Sequence, residues 1–550
     1  MEKADLLVKS QMNIIRQQAE TIKKKDEIIR DNQARLGEFE RTLEELTRQL
    51  EWFHDQLKLS KHKQFGTSSE KNLFNQLSIF NEAEAVADEL PEELEDEFVT
   101  VPEHRRKKKT RLTTDKLPDN LPIEEIEHTL PEDQCVCPEC NGDLHVMGRE
   151  FRDELKIIPA KASILRHVTC TYACRNCEKN SDKVPVIKSK APEPVIKGGM
   201  PAPETLAHIA VQKYMMASPL YRLEKEWKMN GIHISRQTMS NWVIAGCQRH
   251  LLPLYTEMKE LLLKHDVLHA DETTVQVLKE AGKKAESKSQ MWLYRTSGEA
   301  KHQIVVFEYQ PDRKHKRPKD FLEGFSGFLH ADGYEGYHRL PDNIVVTGCW
   351  SHMRRKFVDA LRLIPEEKQK GTIAATGLGY CDRLFDLEKQ FASLSHEDRH
   401  QKRQDRSKPV IEKFYEWVDG TLCLPKSVEG QALTYAVNQR QYLENYLLDG
   451  RLELSNNRAE RAIKEFAIGR KNWLFKNTPS GADSSAVYYS LVATASENNM
   501  NPYEYLTWVF KNVPNLGKPG YVESITDLLP GSDSIPESVY VPASKDKEHE

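Results

Sequence analysis

The chain has 550 residues, 39% hydrophobic and 30% charged, with 79 Lys and Arg against 84 Asp and Glu for a net charge of −5. This length predicts several domains; the charge balance excludes a chain that is basic throughout, and no stretch approaches the ~18 apolar residues of a membrane span. The start, Met1-Glu2-Lys3-Ala4-Asp5, has neither the basic nor the apolar region of a signal peptide, so a cytoplasmic location is expected, with the 10 cysteines better suited to metal binding or burial than to disulfides.

Val8, Ile15, Ile22, Ile29, Leu36, Leu43, Leu50 and Leu57 recur every seven residues among Lys, Arg, Glu and Gln, and Phe39, Leu46 and Phe53 fill a second core position. That spacing predicts a coiled coil over 1–60 that pairs copies of the chain, the alternative being one long helix packed on its own protein. In the first half the second position is polar (Gln11, Gln18, Lys25), which weakens pairing there. Residues 61–129 read as a linker, in which 82–97 hold nine acids and no base, followed by the basic run Arg105, Arg106, Lys107, Lys108, Lys109 and Arg111. Such opposite blocks suit either a solvated linker or a phosphate contact.

Residues 130–180 contain Cys137-Pro138-Glu139-Cys140 and Cys174-Arg175-Asn176-Cys177. Two C-x-x-C knuckles together make a four-thiolate tetrahedral site, so one zinc is expected; with no open position for water, its role is structural. Cys135 and Cys170 are spare thiols nearby, and Leu155–Ile158 and Ile164–Val168 are strand-like runs able to bring the knuckles together as a ribbon. A redox pair of C-x-x-C motifs is the rival reading. Prolines at 185, 192, 194, 201 and 203 then separate this segment from a helical region at 204–260. There Leu220 to Met229 has helical apolar spacing, Asn230-Gly231 makes a turn, and Ser235 caps a second helix carrying Arg236, Gln237, Thr238 and Asn241 near its start. This resembles a helix-turn-helix with side chains suited to base edges and phosphates, a pattern that two packed helices joined at a glycine also produce.

From Val267 short apolar strands follow: Val267–Ala270, Met291–Arg295, Ile304–Tyr309, Gly327–His330 and Ile344–Gly348, with a short helix expected at Asp320–Phe325. Three strands, a helix, then two more strands is the order of a ribonuclease-H-like α/β core, expected here over 262–500 with a helical insertion at about 360–450. The first and fourth strands end at Asp271 and Asp332, and a helix near Asn456 to Phe466 carries Glu460. Clustered carboxylates repel unless cations lie among them, and hard oxygen donors suit magnesium or manganese. Two such ions would activate an attacking oxygen and stabilise a leaving one at phosphorus. Glu272 is the alternative ligand; strand alternation is expected to point it away. Cys349-Trp350-Ser351-His352 opens a helix with Arg354, Arg355 and Lys356, and its histidine either faces DNA or satisfies the core. Arg458 and Arg461 flank Glu460, and Arg470 and Lys471 alternate with aromatics up to Phe475 in what reads as a strand-end binder, unless Trp473 and Phe475 are simply buried.

These motifs resemble the insertion sequence sixty-six family of transposases, TnpC-type and of the DDE class. The likeness runs over nearly the whole chain: Gln64-Phe65-Gly66-Thr67-Ser68-Ser69-Glu70-Lys71, both cysteine knuckles, Pro219-Leu220-Tyr221-Arg222, His269-Ala270-Asp271-Glu272-Thr273, His330-Ala331-Asp332-Gly333-Tyr334, Gly348-Cys349-Trp350-Ser351-His352, and Ser455-Asn456-Asn457-Arg458-Ala459-Glu460-Arg461-Ala462-Ile463. The resemblance implies a ribonuclease-H-like core with a helical insertion, Asp271, Asp332 and Glu460 as the triad for Mg or Mn, and terminal inverted repeats as the DNA substrate. It also implies small accessory proteins of the same element as partners and a nucleoid-associated place in a bacterial cytoplasm. The chain departs from the family at Asp527-Leu528-Leu529-Pro530, which is followed by Gly531 in place of Trp, before a polar tail in the 501–550 segment.

Overall fold

A computed structural model describes residues 162–173 and 186–542, and Lys23 besides them. The expected coiled coil, the acidic and basic linker, Cys137, Cys140, Cys174, Cys177 and the end of the tail therefore lie outside the described residues. Near the second knuckle, β1 (Thr171–Ala173) pairs antiparallel with β2 (Val186–Lys188), Tyr172 opposite Ile187. The strand expected at 164–168 does not form: this stretch is irregular, with Ile164 90% exposed, because the ladder partner β2 aligns with Thr171–Ala173 instead.

Four helices follow: α1 (Pro203–Tyr214), α2 (Leu220–Met229), α3 (Arg236–Gly246) and, after a π-helical turn, α4 (Leu252–Leu262). Proline occupies the first turn of α1, where no backbone N–H is needed, and Ser235 caps α3 by accepting the Thr238 N–H at 3.2 Å. Gly231, at φ +77, makes the turn between α2 and α3, a backbone conformation that side chains with a Cβ resist. Leu223 of α2 and Met239, Trp242 and Val243 of α3 are buried in the main core.

The central sheet has the order β5-β4-β3-β6-β7, formed by Val267–Gln276 (β3), Lys288–Thr296 (β4), Val305–Gln310 (β5), Gly327–His330 (β6) and Ile344–Thr347 (β7). The first three form an antiparallel meander, and β6 and β7 add in parallel on the other side of β3. The five strands expected from Val267 onward are all present. The first runs six residues further than expected, so Asp271 lies inside it, paired with Leu293, because Thr273, Thr274 and Val275 are β-formers that keep pairing with β4. The short helix α5 is Lys316–Phe321, a few residues earlier than expected, and Phe321 and Phe325 are buried beside the sheet.

After β7 come α6 (Trp350–Leu361), α7 (Ile373–Phe391), α8 (His396–Lys402), α9 (Lys408–Gly420) and α10 (Val428–Glu444). This helical segment has a core of its own, built from Trp350, Phe357, Leu384, Phe414, Tyr415 and Leu443 among others. Arg403, 1% exposed, pairs with Glu388 and donates to the carbonyls of Tyr446, Asp449 and Leu452, fixing the return of the chain from the insertion. The chain then enters α11 (Asn457–Trp473), α12 (Pro479–Glu497) and α13 (Pro502–Asn512). Helix α12 is buried nearly all round and covers the edge strand β5: Ser490 Oγ accepts from Phe307 N at 2.8 Å and Thr494 Oγ1 from Val305 N at 3.0 Å. Helix hydroxyls thus satisfy an edge that would otherwise recruit another strand. The departure from the family pattern sits close to packed structure, since Leu528 and Leu529 are buried and the Leu528 carbonyl accepts from Tyr505. Among the described residues, no helix is long and apolar enough to cross a membrane. The whole is a mixed α+β architecture.

Candidate functional site

Strands β3 and β6 are in parallel register with His269 opposite His330. Side chains two residues apart on a strand share a face, so Asp271 and Asp332, each two residues beyond a paired histidine, leave the sheet side by side. The Asp271 carboxylate accepts from Glu272 N at 2.8 Å, and Asp332, in the turn after β6, accepts from Tyr334 N at 3.0 Å. Burial first, then the charges of Glu272, Asp332 and Glu460, hold the Asp271 carboxyl well above the usual carboxylate range. Charge crowding of this kind is relieved by protonation or by a bound cation.

Glu272 does not simply point away as alternation suggested. Its side chain is 2% exposed, one oxygen paired with Arg313 and the other accepting the Tyr337 hydroxyl at 2.7 Å. Burial and then Asp332 raise its carboxyl as well, so it contributes negative field while its oxygens are already engaged.

The third carboxylate arrives on the first turn of α11, and Asn456 determines where. An asparagine at this position ordinarily caps its own helix; here the fully buried side chain reaches across to β3 instead. Its Nδ2 donates to Ala270 O at 2.8 Å, its Oδ1 meets His269 Nδ1 at 2.9 Å, and its backbone N–H donates to Cys349 Sγ at 3.2 Å. One residue ties the helix of Glu460 to the strand of Asp271 and to the start of α6. Behind it the rings of His269 and His330, both fully buried, stack at 4.4 Å, and His330 Nε2 accepts from Glu453 N at 3.1 Å. Burial pushes His269 down to about 3 and His330 well below its ordinary value, so both are neutral spacers rather than acids or bases.

Glu460 faces α6. Its Oε1 lies 3.7 Å from His352 Nδ1, and its Oε2 lies 3.6 Å from Arg355. Among the described residues, the His, Cys, Asp and Glu groups whose ligand atoms all come within 4.8 Å of one another are Cys349, His352 and Glu460. His352 and Cys349 were visible in the sequence only as the opening of a helix, and Asn456 only as part of a motif. The usable signal was the repeated spacing His-Ala-Asp at 269–271 and 330–332.

The side chains expected to meet DNA fall into groups. On α3, Arg236, Gln237 and Asn241 are exposed, with Gln237 Nε2 donating to Asn241 Oδ1 at 3.0 Å, while Thr238 is half-buried with its hydroxyl 3.0 Å from that of Ser235. Arg355 joins Glu460, whereas Arg354 is bound at 2.6 Å by Asp382 of α7 and faces the insertion. Arg458 pairs with Glu453 at 2.8 Å, and Arg461 and Lys471 are exposed. Arg470 donates to Thr273 Oγ1 at 3.0 Å, close beyond Asp271 on β3. The basic-aromatic run occupies the last turn of α11 and the two residues after it, with Trp473 half-buried and Phe475 45% exposed; Lys476, just past it, bridges back to the end of β3.

Residues 198–484 match the family model described as "Transposase IS66 family", a span that takes in Asp271, Asp332, His352 and Glu460. Residues 134–178, which hold both cysteine knuckles, match the zinc-finger binding domain of transposase IS66, and residues 52–126 match the model described as "Transposase C of IS166 homeodomain". Similar curated proteins include three from Sinorhizobium fredii, each described as uncharacterized. They are y4hP, 28% identical over 416 residues (72% of this chain, 73% of the relative), y4qI, 29% over 426 residues (74% and 75%), and y4jD, 29% over 417 residues (72% and 78%). With a transposase family model matching more than half of the chain around these carboxylates and a zinc-finger model on its cysteines, the chain belongs to the IS66 family of transposases, enzymes that act on nucleic acid.

Proposed function

We propose that this chain is a DDE transposase that binds the terminal inverted repeats of its own insertion sequence and cleaves and joins DNA by in-line phosphoryl transfer at Asp271, Asp332 and Glu460. The observation that supports the reading is that two aspartates at neighbouring parallel strands and a glutamate on a following helix act together on the Asp271 carboxyl, whose protonation their charges favour, although their oxygens do not all come within 4.8 Å of one another. The sheet order, an antiparallel meander with two parallel strands added beside its first member, supports a ribonuclease-H-like core. The separate core of the α6–α10 segment supports an insertion between the second aspartate and the glutamate.

The donor set fits hard divalent cations: half-buried carboxylates whose charges oppose one another, with Glu460 Oε1 itself buried and without a hydrogen bond. A pair of Mg²⁺ or Mn²⁺ ions, when bound, supplies activation of the attacking oxygen and stabilisation of the leaving oxygen. The chain's own residues do the rest. The two strands and α11 hold the carboxylates in fixed relation, Arg355 and Arg470 place positive charge at the rim, and α3 presents Arg236, Gln237, Thr238 and Asn241 to a major groove. The four knuckle cysteines hold a structural zinc, the N-terminal heptads join copies of the chain, and accessory proteins of the same element assist.

The test is cleavage and joining of labelled DNA carrying the element's ends, with Mg²⁺ or Mn²⁺, comparing wild type with Asp271→Asn, Asp332→Asn and Glu460→Gln. Metal-dependent joined products that vanish in all three variants are expected. Equal end binding by all four proteins with cutting by none, accessory proteins included, would establish a DNA-binding scaffold instead.

A further inference from the structure

Two buried ligand atoms at the foot of α6 have no hydrogen-bond partner: His352 Nδ1 and Glu460 Oε1. They face each other at 3.7 Å, beyond the ~2.7–3.2 Å of a hydrogen bond. That separation is what two donors to one cation adopt, since ligands at about 2.1 Å from an ion lie roughly 3–4 Å apart. Unpartnered buried polar atoms are costly and rare, and a pair of them aimed at each other asks for a third group.

The surroundings fix both atoms without satisfying them. Trp350 and Met353 anchor the start of α6 in the interior, with Trp350 N–H donating to Leu454 O at 3.1 Å and its indole N–H to Leu443 O at 3.0 Å. Helix α11 is held by Asn456, and Arg355 approaches the other oxygen of Glu460. Cys349 Sγ lies within 4.8 Å of both ligand atoms, but it already accepts the Asn456 N–H.

We propose that His352 is a protein ligand of the divalent-ion site, binding through Nδ1 beside Glu460 Oε1, so that the site holds Mn²⁺ with a nitrogen that Mg²⁺ does not favour. The proposal rests on the carboxylate reading above. Imidazole suits transition metals, whereas magnesium prefers oxygen donors and retains its waters. One nitrogen among carboxylates therefore gives the site a chemical preference that three carboxylates lack. The competing arrangement is a direct contact of His352 with Glu460 that no ion bridges.

The experiment uses the full-length protein stripped with chelator and reloaded with Mn²⁺. Bound Mn²⁺ is counted by loss of the free-ion electron paramagnetic resonance signal, and nitrogen coordination is read from ¹⁴N electron spin-echo modulation. Wild type should show ¹⁴N modulation. His352→Ala should still bind Mn²⁺ but at least about tenfold more weakly, the low end of what loss of even an outer-shell partner costs, without the modulation and with a smaller change in Mg²⁺ affinity. His352→Gln, which keeps the bulk, guards against a folding defect and should behave the same way. Mn²⁺ binding that weakens in Asp271→Asn and Glu460→Gln, yet shows no modulation and is indifferent to His352→Ala, would overturn the histidine ligand and leave the carboxylate site standing. Mn²⁺ binding indifferent to Asp271→Asn, Asp332→Asn and Glu460→Gln removes both.

Discussion

Replacing Asn456 by alanine tests whether one buried side chain sets the position of Glu460. The substitution removes the acceptor for His269 Nδ1 and the donor to Ala270 O, both fully buried, while the backbone N–H to Cys349 Sγ is retained. Leaving a buried donor or acceptor unpaired costs about 1–3 kcal/mol, so two such losses come to about 2–6 kcal/mol. His269 has no compensating partner, because its Nε2 is already without a hydrogen bond. For domains of this size each kcal/mol moves the melting midpoint by about 2–4 °C, which predicts a drop of roughly 4–24 °C in the calorimetric transition of the full-length protein. Freed from β3, α11 should also hold Glu460 less well, and Mn²⁺ binding should weaken. A midpoint within 1 °C of wild type together with unchanged Mn²⁺ affinity would refute the clamp.

Lys476 is 6% exposed and its ammonium makes no hydrogen bond; burial first, then the charge of Lys213, push it well below the ordinary lysine range. The unfolded chain takes up this proton below about pH 10.4 while the folded chain does so only at lower pH, so stability falls with acidification by up to about 1.4 kcal/mol per pH unit. Lys476→Met should therefore be more stable than wild type at pH 7, by an advantage that shrinks as pH approaches 10.4; denaturant midpoints against pH that run parallel for the two proteins would contradict this. Elemental analysis should find one zinc per chain, lost in Cys137→Ser and in Cys174→Ser, and a zinc content unmoved by both substitutions would displace the knuckles as the ligands. Arg236→Ala and Asn241→Ala should each weaken binding to element ends by about 1–3 kcal/mol in a mobility-shift titration while leaving Mn²⁺ affinity unchanged; equal losses on unrelated DNA would show that α3 contacts backbone rather than bases.

The strands at β3, β4, β5, β6 and β7, the helix pair α2 and α3, and the carboxylates at 271, 332 and 460 were all legible in the residues, because each rests on a local signal: apolar runs between turn residues, a Ser cap before a helical pattern, an acid at the end of an apolar run. Local signals also account for the errors. The threonines after Asp271 extend β3 only because β4 lies alongside, and the apolar run at 164–168 stays irregular because β2 pairs with Thr171–Ala173 instead.

What the sequence by itself determined is the inventory and its order: heptads, two cysteine knuckles, a helix-turn-helix pattern, and three acids in a strand, strand, helix succession that carry the family resemblance. What only the tertiary structure decided is which side chains meet. Asn456 abandons its own helix end for Ala270 and His269, Arg354 turns to Asp382 while Arg355 turns to Glu460, and His352 comes to face Glu460 across 108 residues of sequence. Contacts between residues so far apart depend on how the insertion folds back and on the register of β3 with β6, and neither is written in the spacing of any one segment.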